Sequence, residues 1–351
     1  MLQRECLQAW RTDALAERLE AFIAARSGDT VRVSDLKRFT AGFSWVTVRF
    51  RAVFGSGADL ALIVRIGDPN GLLAPYTARP EHLLLETLHG TPRLPLPKAY
   101  WFSDDPAVVG APFLITECVR GVTPLPVWTG GDEAKAAGDR SDLLDDFVDA
   151  LVAIHGFAWR EGPLAELAPA GGDGSATIGE VERWIAFAAS PVDGPNALAM
   201  HFAGKWLTAH ARPAAAAVLV HGDYRVGNFM ALDGRISAIL DWELAHVGDP
   251  HEDLAWVGMR TFGGTGTLIG GLFDRAEFYR RYEERARRVI DWGAIRYFEV
   301  LSQFKMAAIL VGAERRLREG AVHDVRLGAM SLQMSRTLMG LMSMIKAAAR
   351  C

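Results

Sequence analysis

Hydrophobic and polar residues alternate with two different periods in the first third of the chain. The first 26 residues have a helical period, with four apolar residues on one face: Leu15, Leu19, Phe22 and Ile23. Ser27-Gly28-Asp29 interrupts this period, and three β-like runs follow at residues 31–39, 45–54 and 60–66. Only short turn-forming segments separate these runs. The pattern therefore predicts an amphipathic N-terminal helix followed by antiparallel β-hairpins.

The remaining pattern divides the chain into two parts. A helix is predicted at residues 79–89, and two more strands near 98–103 and 112–119. After Gly121 the pattern is mostly helical, apart from a strand-loop-strand segment at 218–242. Long helical periods occupy residues 141–155, 274–288, 292–318 and 325–350. We therefore predict an α+β fold, with a five-stranded sheet and a helix in residues 1–118 and a larger, mainly helical part in residues 119–351.

Composition narrows the class of protein and of partner. The 351-residue chain is 50% hydrophobic and 23% charged, which is typical of a globular protein with two cores. Its formal net charge is -4 without a run of like charges, so we expect small-molecule partners rather than nucleic acid or a membrane surface. No signal peptide or membrane span is predicted. Cys6, Cys118 and Cys351 lie far apart, which favours a reducing cytoplasm over a disulfide framework or a structural zinc site.

The densest group of polar residues follows an apolar run at residues 218–220. It contains His221-Gly222-Asp223 and then Asn228, and a second apolar run leads to Asp241. Phosphoryl transfer needs a carboxylate that orients the attacking hydroxyl and oxygen ligands that hold Mg²⁺ on the phosphates. We therefore predict that Asp223 is the catalytic residue and that Asn228 and Asp241 are metal ligands. The alternative is that these side chains only satisfy backbone amides of the loop.

This spacing resembles that of the aminoglycoside phosphotransferase and choline kinase superfamily, relatives of the protein kinases. The resemblance implies a two-lobed protein-kinase-like fold, with a small antiparallel-sheet N-terminal lobe, a larger mainly helical C-terminal lobe and ATP in the cleft between them. It also implies a set of nucleotide-binding residues: Gly42 and Ser44 in a loop over the phosphates, Arg65 on the third strand, Glu81 as its helix partner, and Glu117 to Val119 as the hinge whose backbone binds adenine. The alternatives are a simple hairpin turn at 40–44, a solvated Arg65, and an exposed Glu81 with Glu86 as the competing partner.

The resemblance extends to residues around the catalytic loop. Residues 248–255 match the family's Gly-Asp-Pro-x-x-Asp-Leu-Ala segment, in which Asp253 would brace the loop through His221 or through backbone amides. We expect His221 to hold the loop rather than to act as a base. Arg225 would either contact phosphate or substrate, or form a salt bridge that fixes the loop. His155 resembles the end of a family helix that precedes the loop, and a structural role is favoured for it.

Two departures from the family pattern concern the nucleotide site and the substrate. Arg65 occupies the place of the usual Lys, in a chain with six Lys and 32 Arg, and Arg retains the charge but not the geometry of Lys. Residues 224–228 and 239–243 resemble the kinase-like domains that are fused to some acyl-CoA dehydrogenases. This second resemblance argues against aminoglycosides as substrates.

The function implied is that of a cytoplasmic small-molecule kinase that uses Mg²⁺ and ATP, with GTP as the alternative nucleotide. The acceptor would be a hydroxyl of an antibiotic or of a metabolite such as a hydroxyacyl-CoA, and the Arg-rich helices between residues 280 and 318 favour a neutral or anionic one. A catalytically inactive nucleotide-binding or scaffolding module is the main alternative. A hydrolase or metal-binding protein is a weaker one, because the sequence has neither a Gly-x-Ser-x-Gly elbow nor a His/Cys cluster.

Overall fold

The structure of the protein is a computed structural model that describes residues 10, 12–39, 44–124, 140–188, 195–214, 216–318, 328–330 and 332–349. The chain divides into two compact units, Met1–His89 with Leu96–Val119, and Gly90–Pro95 with Arg120–Cys351. Gly42 and most of the predicted phosphate loop lie outside the described residues, as do Cys6 and Cys351.

The first unit is built on one antiparallel sheet. Its elements, in chain order, are α1 (Thr12–Ser27), β1 (Val31–Arg38), β2 (Trp45–Phe54), β3 (Asp59–Gly67), α2 (Arg79–Leu88), β4 (Ala99–Ser103), α3 (Pro106–Val109) and β5 (Phe113–Glu117). The strand order is β1-β2-β3-β5-β4, with every neighbouring pair antiparallel. The prediction of a five-stranded antiparallel sheet with a helix is therefore confirmed. The sequence pattern did not predict α3, a single turn capped by Asp105, whose Oδ1 accepts the amide of Ala107 at 2.9 Å.

Alternation along the central strands determines which side chains reach the core of this unit. Val64 and Ile66 of β3 are fully buried, and Leu19 of α1 packs in the same cluster. Successive side chains of a strand point to opposite faces, so Arg65 leaves the sheet on the face opposite to Val64 and Ile66. Within the sheet, Arg65 pairs with Thr47 of β2 and Leu114 of β5.

The second unit is mainly helical, as predicted. Its elements, in chain order, are α4 (Arg140–His155), α5 (Ala176–Ala188), α6 (Pro195–Ala209), β6 (Val218–Val220), β7 (Phe229–Leu232), β8 (Arg235–Ile239), β9 (His246–Gly248), α7 (His251–Trp256), β10 (Leu268–Ile269), β11 (Phe273–Asp274), α8 (Arg275–Ala286), α9 (Trp292–Arg318) and α10 (Met334–Ala348). Helix α9 is buried along most of its 27 residues and packs against α5, α6, α7 and α10, which makes it the central helix of this unit. None of the described helices combines the length and apolarity required to cross a membrane.

Two small hairpin-like pairings carry the predicted catalytic segment. Strand β6 pairs with β9, and β7 pairs with β8, in both cases antiparallel. The loop between β6 and β7 contains Asp223 and Asn228, and Asp241 follows β8. The predicted catalytic segment therefore lies at the ends of two separate antiparallel strand pairs.

Candidate active site

The catalytic loop begins with a backbone conformation that requires glycine. Gly222 follows His221 directly after β6 and has a φ of +83°, in the left-handed region. A Cβ atom at this position would lie 2.4 Å from the carbonyl oxygen of Leu244, a distance that no side chain tolerates. The chain can therefore turn sharply at Gly222 and deliver Asp223 immediately after the buried strand.

Asp253 fixes this turn through two backbone amides. Its Oδ2 accepts the amide of His221 at 2.8 Å, and its Oδ1 accepts the amide of Gly222 at 2.9 Å. Of the two arrangements that the sequence left open for Asp253, the structure has the one through backbone amides. Burial alone would raise the pKa of Asp253, but the hydrogen bonds from His155 and from the His221 amide lower it below its ordinary value, so the carboxyl remains ionised.

A chain of buried hydrogen bonds supports Asp253 from behind. The hydroxyl of Tyr282 lies 2.7 Å from His155 Nδ1, and His155 Nε2 lies 3.1 Å from Asp253 Oδ2. Burial raises the pKa of Tyr282, so its hydroxyl stays protonated and donates to Nδ1, and the Nε2–H of His155 donates to Asp253. His155 therefore has a structural position in the second unit, as the sequence favoured.

His221 is a neutral, buried part of the loop. Its Nε2 lies 3.0 Å from the carbonyl oxygen of Leu240, to which it donates, and its Nδ1 accepts the amide of Asp223 at 3.2 Å. Burial lowers the pKa of His221, and the nearby carboxylates only partly offset this. Both ring nitrogens of His221 therefore form hydrogen bonds within the protein, which agrees with a role in holding the loop.

Asp223 presents its carboxylate to three side-chain donors. Arg225 Nε at 2.9 Å and Trp256 Nε1 at 2.6 Å both donate to Oδ1, whereas Asn228 Nδ2 donates to Oδ2 at 2.6 Å. Burial raises the pKa of Asp223; Arg225 opposes this rise and the negative charge of Asp241 adds to it. Arg225 thus forms the loop-fixing salt bridge that was one of its two predicted roles. A buried carboxylate with a raised pKa is suited to accept a proton.

Asn228 and Asp241 offer the oxygen atoms that a magnesium ion prefers. The Nδ2 of Asn228 is engaged by the main-chain and side-chain oxygens of Asp223, so the amide oxygen is the atom of this side chain that is suited to a cation. Asp241 has a φ of +68°, which is uncommon outside glycine and often marks a functional position. The charge of Asp241 also raises the pKa of Asp223, so the two carboxylates lie close enough to interact. This donor set fits a divalent cation such as Mg²⁺.

In the first unit, Arg65 and Glu81 form a close ion pair. Arg65 Nη1 lies 2.5 Å from Glu81 Oε1, and the two side chains are 17% and 6% exposed. The guanidinium also lies over the ring of Trp45, 5.4 Å from its centroid. Glu86, the competing partner, is 69% exposed and lies near His82 instead. Arg65 is therefore neither solvated nor isolated on its strand.

The remaining predicted nucleotide-binding residues are also in the first unit. Ser44 precedes β2, and its carbonyl oxygen accepts the amide of Asp68 at 3.4 Å. Glu117 ends β5 with its side chain exposed, and its amide donates to the carbonyl oxygen of Lys98 at 2.8 Å. Val119 follows two residues later and is the last residue of this unit. The Ser44 carbonyl and the Glu117 amide are thus engaged within this unit, and the nucleotide-binding role of these positions stays a prediction.

A buried ion cluster was not predicted from the sequence. Lys305 Nζ lies 2.6 Å from Glu180 Oε1 and 3.1 Å from Glu252 Oε2, and His246 Nε2 lies 3.3 Å from Glu252 Oε2. The ligand atoms of Glu180, His246 and Glu252 lie within 4.8 Å of one another, close enough for a metal ion. The Lys305 ammonium, however, already supplies a cation to both carboxylates. Burial alone would lower the pKa of Lys305, but the two carboxylates raise it above its ordinary value.

The contact of Trp256 with Asp223 was also not predicted from the sequence. Trp256 lies three residues after Asp253 on α7, and residues three apart share a helix face, so the two side chains reach the same loop. This spacing indicates that Trp256 shares a face with Asp253, but it does not indicate which loop that face meets.

The architecture is that of the kinase-like phosphotransferases. A protein from Ralstonia eutropha that is proposed to be an aminoglycoside phosphotransferase superimposes with a TM-score of 0.67 at 23% identity, over 94% of this chain and 98% of that chain. A mutant of the aminoglycoside phosphotransferase APH(4)-Ia, solved with AMP-PNP and hygromycin B, superimposes with a TM-score of 0.57 at 15% identity, over 94% of this chain and 98% of that chain. At these identities the likeness shows the fold, and the predicted kinase-like fold is confirmed.

Sequence comparison then assigns the family. The profile of the phosphotransferase enzyme family matches residues 35–298, so the chain belongs to that family. Acyl-CoA dehydrogenase family member 10 from Mus musculus is 24% identical over 325 residues, which cover 88% of this chain and 28% of the mouse protein. The predicted resemblance to the family and to its acyl-CoA dehydrogenase branch is confirmed.

Proposed function

We propose that this protein transfers the γ-phosphoryl group of ATP to a hydroxyl of a small metabolite, with Asp223 as the catalytic residue. The observation that carries the proposal is the Asp223 carboxylate itself. Its side chain is 15% exposed, burial raises its pKa, and Asn228 Nδ2 donates to its Oδ2 at 2.6 Å. The nucleotide is supported by the solved relative that binds AMP-PNP.

The residues divide the work of in-line transfer as follows. Asp223 orients the acceptor hydroxyl and accepts its proton as the new oxygen–phosphorus bond forms and the bond between the γ-phosphorus and the β–γ bridging oxygen breaks. Asn228 and Asp241 would hold Mg²⁺, which supplies charge neutralisation for the phosphates when bound. Arg65, braced by Glu81, would contact phosphate, and Gly42, Ser44 and the 117–119 backbone would bind the rest of the nucleotide.

The class of acceptor that we propose is based on the resemblance to the acyl-CoA dehydrogenase branch, and not on the charge of the protein surface. The Arg-rich helices were expected to favour a neutral or anionic acceptor, but several of their arginines form ion pairs within the protein. Arg280 pairs with Glu277 and Glu284, and Arg285 pairs with Asp145 and Asp149. Their charge is therefore largely compensated. The similarity to the mouse acyl-CoA dehydrogenase family member leaves hydroxyacyl-CoA-like compounds as the class to test first.

Nucleotide binding measured by calorimetry tests the first half of the proposal. ATP and GTP are titrated with and without Mg²⁺ into the wild type and the Asp241→Ala variant. We expect Mg²⁺ to strengthen ATP binding in the wild type and to have no effect in the variant. Absence of nucleotide binding in the wild type would contradict the proposal and favour a scaffolding module.

Turnover tests the second half. Hydroxylated metabolites, hydroxyacyl-CoA thioesters and antibiotics are screened for ADP release, with ATP hydrolysis by water as the background reaction. Asp223→Asn should lower kcat by about 10²- to 10⁴-fold, the usual contribution of acid–base catalysis. Asp59→Asn, which alters an exposed ion pair with Arg51, is the control and should leave kcat unchanged. Normal turnover in the Asp223→Asn variant would rule out the assigned role.

A further inference from the structure

The two oxygens of the Asp223 carboxylate have different surroundings. Oδ1 accepts hydrogen bonds from both Trp256 Nε1 and Arg225 Nε, at 2.6 and 2.9 Å. Among the described residues, the only side chain that donates to Oδ2 is Asn228. An ionised carboxylate has about four acceptor positions, two on each oxygen, so both positions on Oδ1 are filled and one on Oδ2 remains.

Trp256 is held rigidly in the orientation that this contact requires. It ends α7, is 3% exposed, and its ring lies 5.3 Å from that of Phe262, at an angle of 45°. The guanidinium of Arg225 lies over the same Phe262 ring, 4.7 Å from its centroid. One aromatic ring therefore packs against both donors to Oδ1, so the two donors are positioned together.

The chemistry of the indole group limits what Trp256 can do. An indole N–H only donates, and it neither titrates nor accepts a proton, so Trp256 takes no part in proton transfer itself. A hydrogen bond to an ionised acceptor is shorter and stronger than a neutral one, and the 2.6 Å distance to Oδ1 is of this kind. Its effect is therefore on the orientation and basicity of Asp223.

We propose that Trp256 is a positioning residue which, with Arg225, occupies Oδ1 of Asp223 and leaves Oδ2 as the atom that accepts the proton of the acceptor hydroxyl. This inference rests on the proposed phosphotransferase function. It assigns the direction from which the hydroxyl approaches, along the unfilled position of Oδ2. It also gives a role to a residue outside the family motif that the sequence indicated.

The Trp256→Phe variant tests the inference because it removes the N–H and keeps a ring against Phe262. We expect kcat to fall about 10- to 100-fold, which corresponds to the loss of one charge-assisted hydrogen bond, with KM for ATP unchanged. The bond lowers the pKa of Asp223, so its loss should move the acid limb of the kcat–pH profile to higher pH. The matched control is Trp159→Phe, which also removes a buried indole N–H, the one donated to the carbonyl oxygen of Ala217 at 3.1 Å.

The outcomes separate positioning from packing. A lower kcat with a shifted pH profile in Trp256→Phe, and neither change in Trp159→Phe, would support the inference. An unchanged kcat and profile in Trp256→Phe would overturn it. So would a loss of activity that matches the loss of folded protein, or a raised KM for ATP without a shift in the profile.

A second measurement does not depend on turnover or on the folding of one variant. The Asp223 carboxyl is titrated by ¹³C NMR, with its resonance identified by its absence in Asp223→Asn. Both Trp256→Phe and Phe262→Leu should raise the Asp223 pKa above the wild-type value, and an unchanged pKa in both would overturn the inference. If the wild type neither binds ATP nor turns it over, the proposed function fails, whereas an unchanged titration with an active wild type overturns only the role of Trp256.

Discussion

Replacement of Asp253 by Asn should destabilise the second unit more than any exposed substitution. The carboxylate is fully buried and accepts three hydrogen bonds, from the amides of His221 and Gly222 and from the ring of His155. An Asn side chain has one oxygen and one NH₂ group, so it can accept from one of the two amides and must present a donor to the other. Charge-assisted hydrogen bonds contribute about 1.5–3 kcal/mol, and a buried unsatisfied donor costs about 1–3 kcal/mol. We therefore expect the free energy of unfolding to fall by about 3–5 kcal/mol.

Urea denaturation of the wild type and the variant measures this difference. The pH dependence adds a second criterion, because the pKa of Asp253 is lowered in the folded protein. Its contribution to stability is present above the pKa of an unfolded Asp, about 3.9, and is lost as the pH falls through the lower folded value. The difference between wild type and variant should narrow in that acid range. A loss of less than about 1 kcal/mol, similar to that of the exposed Asp59→Asn control, would refute the role given to Asp253.

Three further predictions concern the loop, the nucleotide site and the ion cluster. Gly222→Ala should lower the thermal midpoint more than Gly90→Ala, because both glycines have a φ of +83° but only Gly222 would clash, and equal shifts would contradict this. Arg65→Ala should weaken ATP binding in calorimetry, whereas Arg65→Lys should retain part of the affinity; equal affinities in all three proteins would remove Arg65 from the site. Lys305→Met should lower the free energy of unfolding at pH 7 by about 3–5 kcal/mol, because Glu180 and Glu252 lose the buried ammonium that pairs with both, although Arg183 and His246 remain beside them. The pKa of Glu180 is lowered in the folded protein, so this loss should shrink as the pH falls below the ordinary Glu value of about 4.5 toward the lower folded value, and an effect that does not change with pH would argue against the ion cluster.

Long, strongly periodic elements could be predicted from the sequence with close boundaries. The helix at 292–318 and strand β2 have the same ends in the structure, and the other four strands of the first unit differ from their predicted ends by at most two residues. Among the described residues, four helices (α3, α5, α6 and α7) and three short strands (β9, β10 and β11) were missed. Helices α5 and α6 are apolar on more than one face and follow no clear start signal, and β9 has three residues, too few to show an alternating pattern.

The candidate site likewise combines residues that are close in the sequence, which could be predicted, with residues that are far apart, which could not. The spacing of Asp223, Asn228 and Asp241 is local, and these residues lie on connected turns of two short ladders. The contact of Trp256 with Asp223 joins residues 33 positions apart, and that of Lys305 with Glu252 joins residues 53 apart. No periodicity in a single sequence encodes which distant helix faces a given loop, so these partners required the folded structure.

Both of these distant contacts involve residues of the short helix α7. The geometry of the predicted catalytic loop therefore depends on residues outside the loop. Of the six residues of α7, Glu252 joins the buried ion cluster, Asp253 binds the loop amides and Trp256 donates to the carboxylate of Asp223. Because one helix backbone connects the three residues, we expect a displacement of α7 to change all three contacts together. A displacement of Glu252 by the loss of Lys305 would therefore shift Asp253 and Trp256 together, and both constraints on Asp223 would weaken at once. The His-Gly-Asp motif thus depends on the Asp-Leu-Ala helix for its geometry, and the two segments function as a single structural element although they are far apart in the sequence.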